Sequence, residues 1–305
     1  VDPARKRWAI DEGEKTMEKR ISGKTGLLGL IGSPVGHSGS PAMYNYCFEK
    51  LGLDYAYLAF DIKVDEVEKA IEAIKTFRMR GCNVTMPCKN ETVKYMDELS
   101  PAARIIGAVN TIVNEDGRLI GHITDGKGFV DNLRDRGVEI AGKKIIVCGG
   151  GGAAAAIQVQ CALEGAREIS VFNIKDAFFE RTLQLAEKIR QEKPECIVNV
   201  YDIADIEKMR EEITSSDILA NATIVGMKPM DNESVVKDVT MYHPGLVVVD
   251  AVYNPKETKM LREAKAAGCT CIDGQGMLVW QGAEAFKLYT GQEMPVQEVK
   301  ELFFS

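Results

Sequence analysis

The sequence predicts an α/β protein of two domains, and three observations carry that prediction. At 305 residues the chain is long for a single hydrophobic core. Short apolar runs of strand length alternate with segments of helical periodicity, the pattern of an open α/β sheet rather than a helical bundle. One stretch, Lys144–Ala156 (KIIVCGGGGAAAA), reads as buried strand, glycine turn and helix in immediate succession.

Composition narrows the class. Hydrophobic residues make up 45% and charged residues 27%, which fits a globular protein with a sizeable core. The formal charge is −7, and no Lys/Arg run carries interleaved aromatics, so a nucleic-acid partner is not expected. The longest apolar runs fall well short of a membrane span and no secretory signal is visible, so no membrane partner and a cytoplasmic location are expected. Cys47, Cys82, Cys88, Cys148, Cys161, Cys196, Cys269 and Cys271 form no CxxC pair. The three histidines (His37, His122, His243) are far apart. Reduced thiols and no metal site follow. The mostly charged residues 1–16 are expected to fray and carry no chemistry. Met17 reads equally as a start behind an expression remnant or as an internal methionine.

Taken in order, Leu27–Ile31 reads as a strand that ends in GSPVGHSGSP, Gly32 to Pro41, a segment crowded with turn formers and hydroxyls. Ser40 is a plausible N-cap with Pro41 opening a helix over Ala42–Leu51. Ser38 and Ser40 read either as turn chemistry or as a hydroxyl pair for a polyhydroxylated ligand. Tyr55–Phe60 reads as a strand and Asp65–Arg78 as an amphipathic helix. A short strand then ends at Pro87 in GCNVTMPCK, with Lys89 next; spacing alone leaves Lys89 an ordinary solvated lysine. Glu91–Leu99 reads as helix, and Ile105–Val113 as strand with Asn110 its polar exception. Asp125, beside Gly126 and Gly128 at the apparent seam between domains, would cap a helix over Gly128–Arg136.

In the second half, Gly149, Gly151 and Ala154 fit the G-x-G-x-x-G/A spacing of a dinucleotide turn. Amides at the helix N-terminus favour a negatively charged group there. Ala153–Glu164 continues as helix and Glu168–Phe172 as strand. The residues at that strand's end, Asn173-Ile174-Lys175-Asp176, would read the adenosine ribose. Asp176 leans towards NAD, and Lys175 keeps NADP open. Phe178–Gln191 and Asp205–Thr214 read as helices, and Cys196–Val200, Ile218–Ala222, Leu246–Asp250 and Cys269–Ile272 as strands. Pro255 introduces a helix over Glu257–Ala267, and DGQGMLVWQGAEAF, Asp273 to Phe286, opens a final one. Gln281 on it is equally well explained by exposure or by ligand contact.

The set GSPVGHSGSP, NVTMPCK, GAVNT, TDGKGF, the glycine turn, ATIVGM, DAVYNP and DGQGMLVWQGAEAF resembles the shikimate dehydrogenases, especially the subgroup that also oxidises quinate, over Gly26–Phe303. The resemblance implies an N-terminal α/β substrate domain (20–122 plus 277–305) and a Rossmann-like NAD(P)-binding domain (123–276). The C-terminal helices would return to the first domain. It implies hydride transfer between NAD, or alternatively NADP, and the ring C3 hydroxyl of a cyclic polyhydroxy acid, with Lys89 and Asp125 as the catalytic pair. Ser38 and Ser40 would hold the substrate carboxylate, Thr85, Asn110 and Gln281 its hydroxyls, and Tyr253 would line the carboxylate end. Gly149, Gly150, Gly151, Gly152, Ala153, Asn173, Lys175, Asp176, Thr223, Gly226, Met227, Gly274 and Met277 would bind the cofactor, with Gly226, Met227 and Met277 beside the nicotinamide. A monomer and a homodimer are both compatible.

Four positions depart from the family pattern. Ile123 replaces an asparagine that supports the site, and Gly39 replaces the leucine between the two serines. Ile174 removes an arginine clamp for a ribose phosphate. Thr85 is the form common in members restricted to shikimate. The rivals are an NADP-dependent shikimate dehydrogenase of the chorismate pathway, a ligand-sensing protein without turnover, and a related dehydrogenase of amino acids or a folate.

Overall fold

The computed structural model describes residues 21–303, so the expectation for residues 1–16 lies outside the described residues. Two six-stranded sheets organise the chain. The first contains β1 (Gly26–Gly32), β2 (Tyr55–Asp61), β3 (Gly81–Val84), β4 (Glu98–Leu99), β5 (Thr111–Glu115) and β6 (Arg118–His122), in the order β2-β1-β3-β5-β6-β4. Its helices are α1 (Ser40–Lys50), α2 (Val67–Thr76) and α3 (Pro101–Ile106), and α4 (Asp125–Arg134) leads out of it. Strands β2, β1 and β3 run parallel, whereas β5 is antiparallel to both β3 and β6.

The second sheet is parallel throughout, in the order β12-β11-β10-β7-β8-β9. Its strands are β7 (Lys144–Cys148), β8 (Glu168–Asn173), β9 (Ile197–Asp202), β10 (Ile218–Asn221), β11 (Val247–Asp250) and β12 (Thr270–Ile272). Helices α5 (Gly152–Leu163), α6 (Ala177–Glu192), α7 (Ile206–Thr214) and α8 (Lys259–Ala266) connect them. Every residue of β7 and β10 is buried, as expected of strands covered on both faces. The strand order reverses between β7 and β10, which leaves a crevice at the carboxyl ends of these two strands.

The last two helices, α9 (Gly274–Thr290) and α10 (Val296–Phe303), return to the first sheet. Val279, Phe286, Tyr289 and Val299 share one core with Leu28, Tyr44, Phe48 and Tyr57. The Tyr44 and Phe286 rings stack with centroids 6.2 Å apart, and the Tyr44 hydroxyl donates to the Gly282 carbonyl at 2.9 Å. Between the sheets, α4 touches both α5 and α9. A Cβ on Gly128 would stand 2.6 Å from the Met277 carbonyl and the Gln281 nitrogen, and one on Gly126 would stand 2.6 Å from Gln160 Cβ.

Several expectations need correction. Glu91–Leu99 is not a helix: a 3₁₀ turn over Glu91–Tyr95 gives way to β4. Ile105–Val113 is not one strand, because Pro101 opens α3 with Ser100 Oγ accepting from Ala103 N–H at 3.4 Å; Gly107, at φ 74°, then ends that helix. Ser40 is not the N-cap of α1. That position falls to Gly39, and Ser38 Oγ accepts the Ser40 N–H at 3.3 Å. The helix after Asp125 begins at Asp125 itself, with Thr124 at its N-cap, so this carboxylate caps nothing. Helix α8 starts at Lys259, capped by Thr258 rather than introduced by Pro255. The helix opened by Asp273 is not the last, since α10 follows.

Candidate active site

Lys89 is placed by a turn and not by a helix. The Cys88 N–H donates to the Thr85 carbonyl at 2.9 Å, and the Lys89 carbonyl accepts from Val109 N–H at 3.0 Å, which ties the residue to the segment before β5. Asp125 arrives from the other side as the first residue of α4. Their side chains meet with Nζ 2.7 Å from Oδ2, each about one-fifth exposed. An ammonium held against a carboxylate in a half-buried cleft is a proton donor with a fixed direction, and its conjugate amine is the matching base.

Around this pair lies a cavity of about 420 Å³ whose lining includes Ser38, Ser40, Thr85, Lys89, Asn110, Asp125, Tyr253 and Gln281. All eight expected catalytic and substrate residues are therefore gathered on one cavity, from segments as distant as the loop after β1 and α9. A buried amide network fixes one wall. Asn110 Oδ1 accepts from Thr124 N–H at 2.9 Å and from the Thr111 hydroxyl at 2.9 Å, while Asn110 Nδ2 donates to Thr124 Oγ1 at 3.1 Å. Asn83 donates to Thr111 Oγ1 at 3.1 Å and accepts the Tyr57 hydroxyl at 2.8 Å. Asn83, His37 and Tyr44 also line the cavity. Sequence reasoning passed over all three, although NVT and GHS were the signals that could have found Asn83 and His37.

Ile123 is 7% exposed and packs into the hydrophobic core, while its neighbour Thr124 makes the bonds to Asn110. The Lys89–Asp125 contact forms with isoleucine at that position. A Cβ built on Gly39 would meet nothing within 4 Å, which leaves the serine loop open on that side.

The second cavity, about 890 Å³, opens over the glycine turn. Gly149 adopts φ 122°, and a Cβ there would stand 2.8 Å from the Ala222 carbonyl. On Gly150 it would stand 2.6 Å from Thr182 Oγ1. On Gly151 or Gly152 it would meet nothing within 4 Å, so the turn has free space above it. Helix α5 starts there without a side-chain cap, and its first-turn N–H groups suit an anion. Free space, close-packed glycines beneath it and an uncapped helix start fit a dinucleotide.

Gly149, Gly150, Gly151, Gly152, Ala153, Asn173, Asp176, Thr223 and Met227 line this cavity. Lys175 does not; its ammonium sits 3.6 Å from Asp202. Gly226, Gly274 and Met277 line neither cavity. Gly274 lies under the chain at Ala251, its would-be Cβ 2.6 Å from that carbonyl, and Gly226 abuts Thr258. Ile174, Phe178, Ile203 and Lys228 join the lining without having been singled out as cofactor residues. Tyr253 lines both cavities, so the two share a wall.

Beneath that wall is a buried acid. Asp250, at the end of β11, is fully buried, and burial pushes its carboxyl up to about 6 against the bonds it accepts. Its Oδ1 accepts from Asn221 Nδ2 at 2.9 Å and Val252 N–H at 3.0 Å, and its Oδ2 from the Thr258 hydroxyl at 2.6 Å. Among the described residues no cluster of three or more His, Cys, Asp or Glu side chains could hold a metal ion. No helix among them is long and apolar enough to cross a membrane. The eight cysteines are all free thiols.

Comparison with known proteins agrees with this geometry. Residues 30–112 match a family model described as shikimate dehydrogenase substrate binding domain, and residues 274–302 one described as Shikimate 5'-dehydrogenase C-terminal domain. A protein of Listeria monocytogenes serotype 4b named shikimate dehydrogenase (NADP(+)) is 48% identical over 286 residues, 94% of this chain and 98% of that protein. A quinate/shikimate dehydrogenase of Escherichia coli O17:K52:H18 is 47% identical over 282 residues, 92% and 98% of the two chains. The crystal structure of shikimate 5-dehydrogenase from Listeria monocytogenes in complex with shikimate and NAD superposes with a TM-score of 0.93 at 47% identity. It covers 95% of this chain and 100% of that one.

Proposed function

The chain belongs to the shikimate dehydrogenase family, and from that membership we propose how its residues divide the reaction. It is an NAD(P)-dependent oxidoreductase that acts on a ring hydroxyl of shikimate and quinate, a small cyclic polyhydroxy acid. Within that activity, NAD is the favoured cofactor and the C3 hydroxyl the reacting group, giving 3-dehydroshikimate or 3-dehydroquinate. When bound, the nicotinamide supplies the hydride acceptor or donor.

The protein's task is then the proton. In the oxidative direction Lys89, as neutral amine, takes the hydroxyl proton at Nζ as the C–H bond is broken; in the reductive direction the ammonium returns it. Asp125 holds Nζ in place at 2.7 Å and stabilises the ammonium once formed. Ser38 and Ser40 hold the carboxylate, with Thr85, Asn110 and Gln281 on the ring hydroxyls. The Asn83–Thr111–Asn110–Thr124 bonds support this reading, because they fix the Asn110 amide before substrate arrives. The observation that carries the proposal is the Lys89–Asp125 pair on a cavity that shares Tyr253 with the glycine-turn cavity.

The substrate unit is proposed as 20–122 with 277–305 and the cofactor unit as 123–276. Eight unbridged thiols support a reducing, cytoplasmic compartment. Monomer or homodimer, with no nucleic-acid or membrane partner, is the proposed assembly, which light scattering tests.

Initial rates for shikimate and quinate, each with NAD and NADP, test the function. Turnover of both substrates with NAD is expected, and Lys89→Ala should reduce kcat by at least about a thousandfold, within the range of a lost general acid–base. Turnover of shikimate with NADP alone would instead favour the chorismate-pathway reading; the name of the Listeria relative carries NADP(+). Tight cofactor binding without turnover would leave the sensing reading.

A further inference from the structure

The nucleotide cavity has an unusual charge balance for a site that takes a dianion. Its charged lining residues are Asp176, Lys228 and Asp231. Two carboxylates would repel the diphosphate bridge of a dinucleotide, against which the backbone offers only the partial charges at the N-termini of α5 and, beside Asp176, α6. Lys228 is the only cation in that lining, and among the described residues it is paired with no carboxylate, Asp231 included.

The backbone that carries Lys228 is held firmly. Ile224–Met230 closes on itself: Met227 N–H donates to the Ile224 carbonyl at 3.2 Å, Met230 N–H to the Met227 carbonyl at 2.7 Å, and Gly226 N–H to the Met230 carbonyl at 3.1 Å. Its root is the buried Asn221, whose Nδ2 donates to both the Val225 carbonyl and Asp250 Oδ1 at 2.9 Å, and whose Oδ1 accepts the Thr223 hydroxyl at 2.7 Å. A braced turn therefore presents an ammonium to the cavity. In the sheet, β10 and β8 flank β7 on opposite sides. The turn after β10 thus lies on the other side of the glycine turn from Asp176, on the same cavity.

We propose that Lys228 is a cofactor-binding residue whose ammonium closes over the diphosphate bridge from the side opposite the α5 N-terminus. The proposal rests on the nucleotide reading of this cavity and adds to it the cation that makes a net-negative lining accept a dianion. Lys228 acts on the bridge that NAD and NADP share, so its effect does not discriminate between them. Because a lysine–phosphate contact is screened by salt, its contribution shrinks as ionic strength rises.

The test is direct binding of NADH, NADPH and ADP-ribose to the full chain by calorimetry, for the wild type, Lys228→Ala and Lys228→Arg, with shikimate binding measured alongside. Lys228→Ala should raise the Kd of all three nucleotides about tenfold at low salt and less at high salt, leave shikimate binding intact, and be largely restored by Lys228→Arg. An NADH Kd within twofold of wild type would overturn the proposal, as would a loss confined to NADPH, which assigns the lysine to the ribose phosphate. A loss that extends to shikimate and that arginine does not restore would also overturn it, since the turn would then be structural. A wild-type chain that binds none of the three nucleotides would sink the cofactor reading itself.

Discussion

At the end of β8 the nucleotide cavity meets one carboxylate and no ammonium. Asp176 Oδ1 accepts the Phe178 N–H at 2.8 Å as the N-cap of α6, while Lys175 is turned towards Asp202 and Ile174 stands 55% exposed on the lining. A carboxylate suits the free ribose diol of NAD and repels the phosphate of NADP. Replacing Ile174→Arg together with Asp176→Ser, which keeps a capping side chain for α6, should lower the NAD-over-NADP ratio of kcat/KM by at least about a hundredfold. A charged pair gained and a repulsion removed are each worth tenfold or more. Steady-state kinetics with both cofactors checks it, and an unchanged ratio would place cofactor choice elsewhere. Ile174 and Asp176 were legible in sequence because their position after a strand has one meaning in this fold. The withdrawal of Lys175 was not, because its partner Asp202 belongs to the neighbouring strand, β9.

Helix α4 lets two layers share one site. With hydrogens in place of side chains at Gly126 and Gly128, its backbone lies directly against α5 and α9. Asp125 then reaches Lys89 from one end of α4, while α9 brings Gln281 to the same cavity. Gly128→Ala would drive a methyl into the Met277 carbonyl and the Gln281 nitrogen, 2.6 Å away, where backbone cannot yield cheaply. A loss of about 1–3 kcal/mol is expected, with a raised KM for shikimate and near-normal NADH binding. Urea unfolding and kinetics test it, and normal values for both would mean that the two helices separate freely. At this scale the sequence was read well where periodicity is long, as in α6, and poorly around Glu91–Val113. There, three elements of at most six residues follow one another, and the apolar character of Ile105 and Ile106 serves α3 as readily as a strand.

For the molecule as a whole, one source of acid stability lies on α7, against the second sheet. Glu212 is 4% exposed, yet its carboxyl lies well below the usual range, at about 2. Burial alone would raise it, but bonds from Lys144, Ser170 and Lys208 outweigh that cost. A depressed folded value means that the stabilisation is complete above the unfolded value of 4.5 and is lost as pH falls towards 2. Glu212→Gln should therefore cost about 3 kcal/mol at pH 7 and only about 1 kcal/mol near pH 3. A cost independent of pH in chemical denaturation would mean that packing, not charge, explains it.

The sequence by itself determined the class of fold and the glycine turn, whose chemistry is local to a few residues, and its resemblance to a family singled out eight residues that the structure brings onto one cavity. The resemblance also implied the return of the last helices, which the structure shows as α9 packing on Tyr44 and Phe48. Only the tertiary structure decided that Lys89 and Asp125, 36 positions apart, touch, that Tyr253 joins two cavities, and that Asn221 and Asp250 brace the loops above them. These are contacts between segments distant in the chain. Their formation depends on strand order and helix packing, which no local pattern of residues encodes.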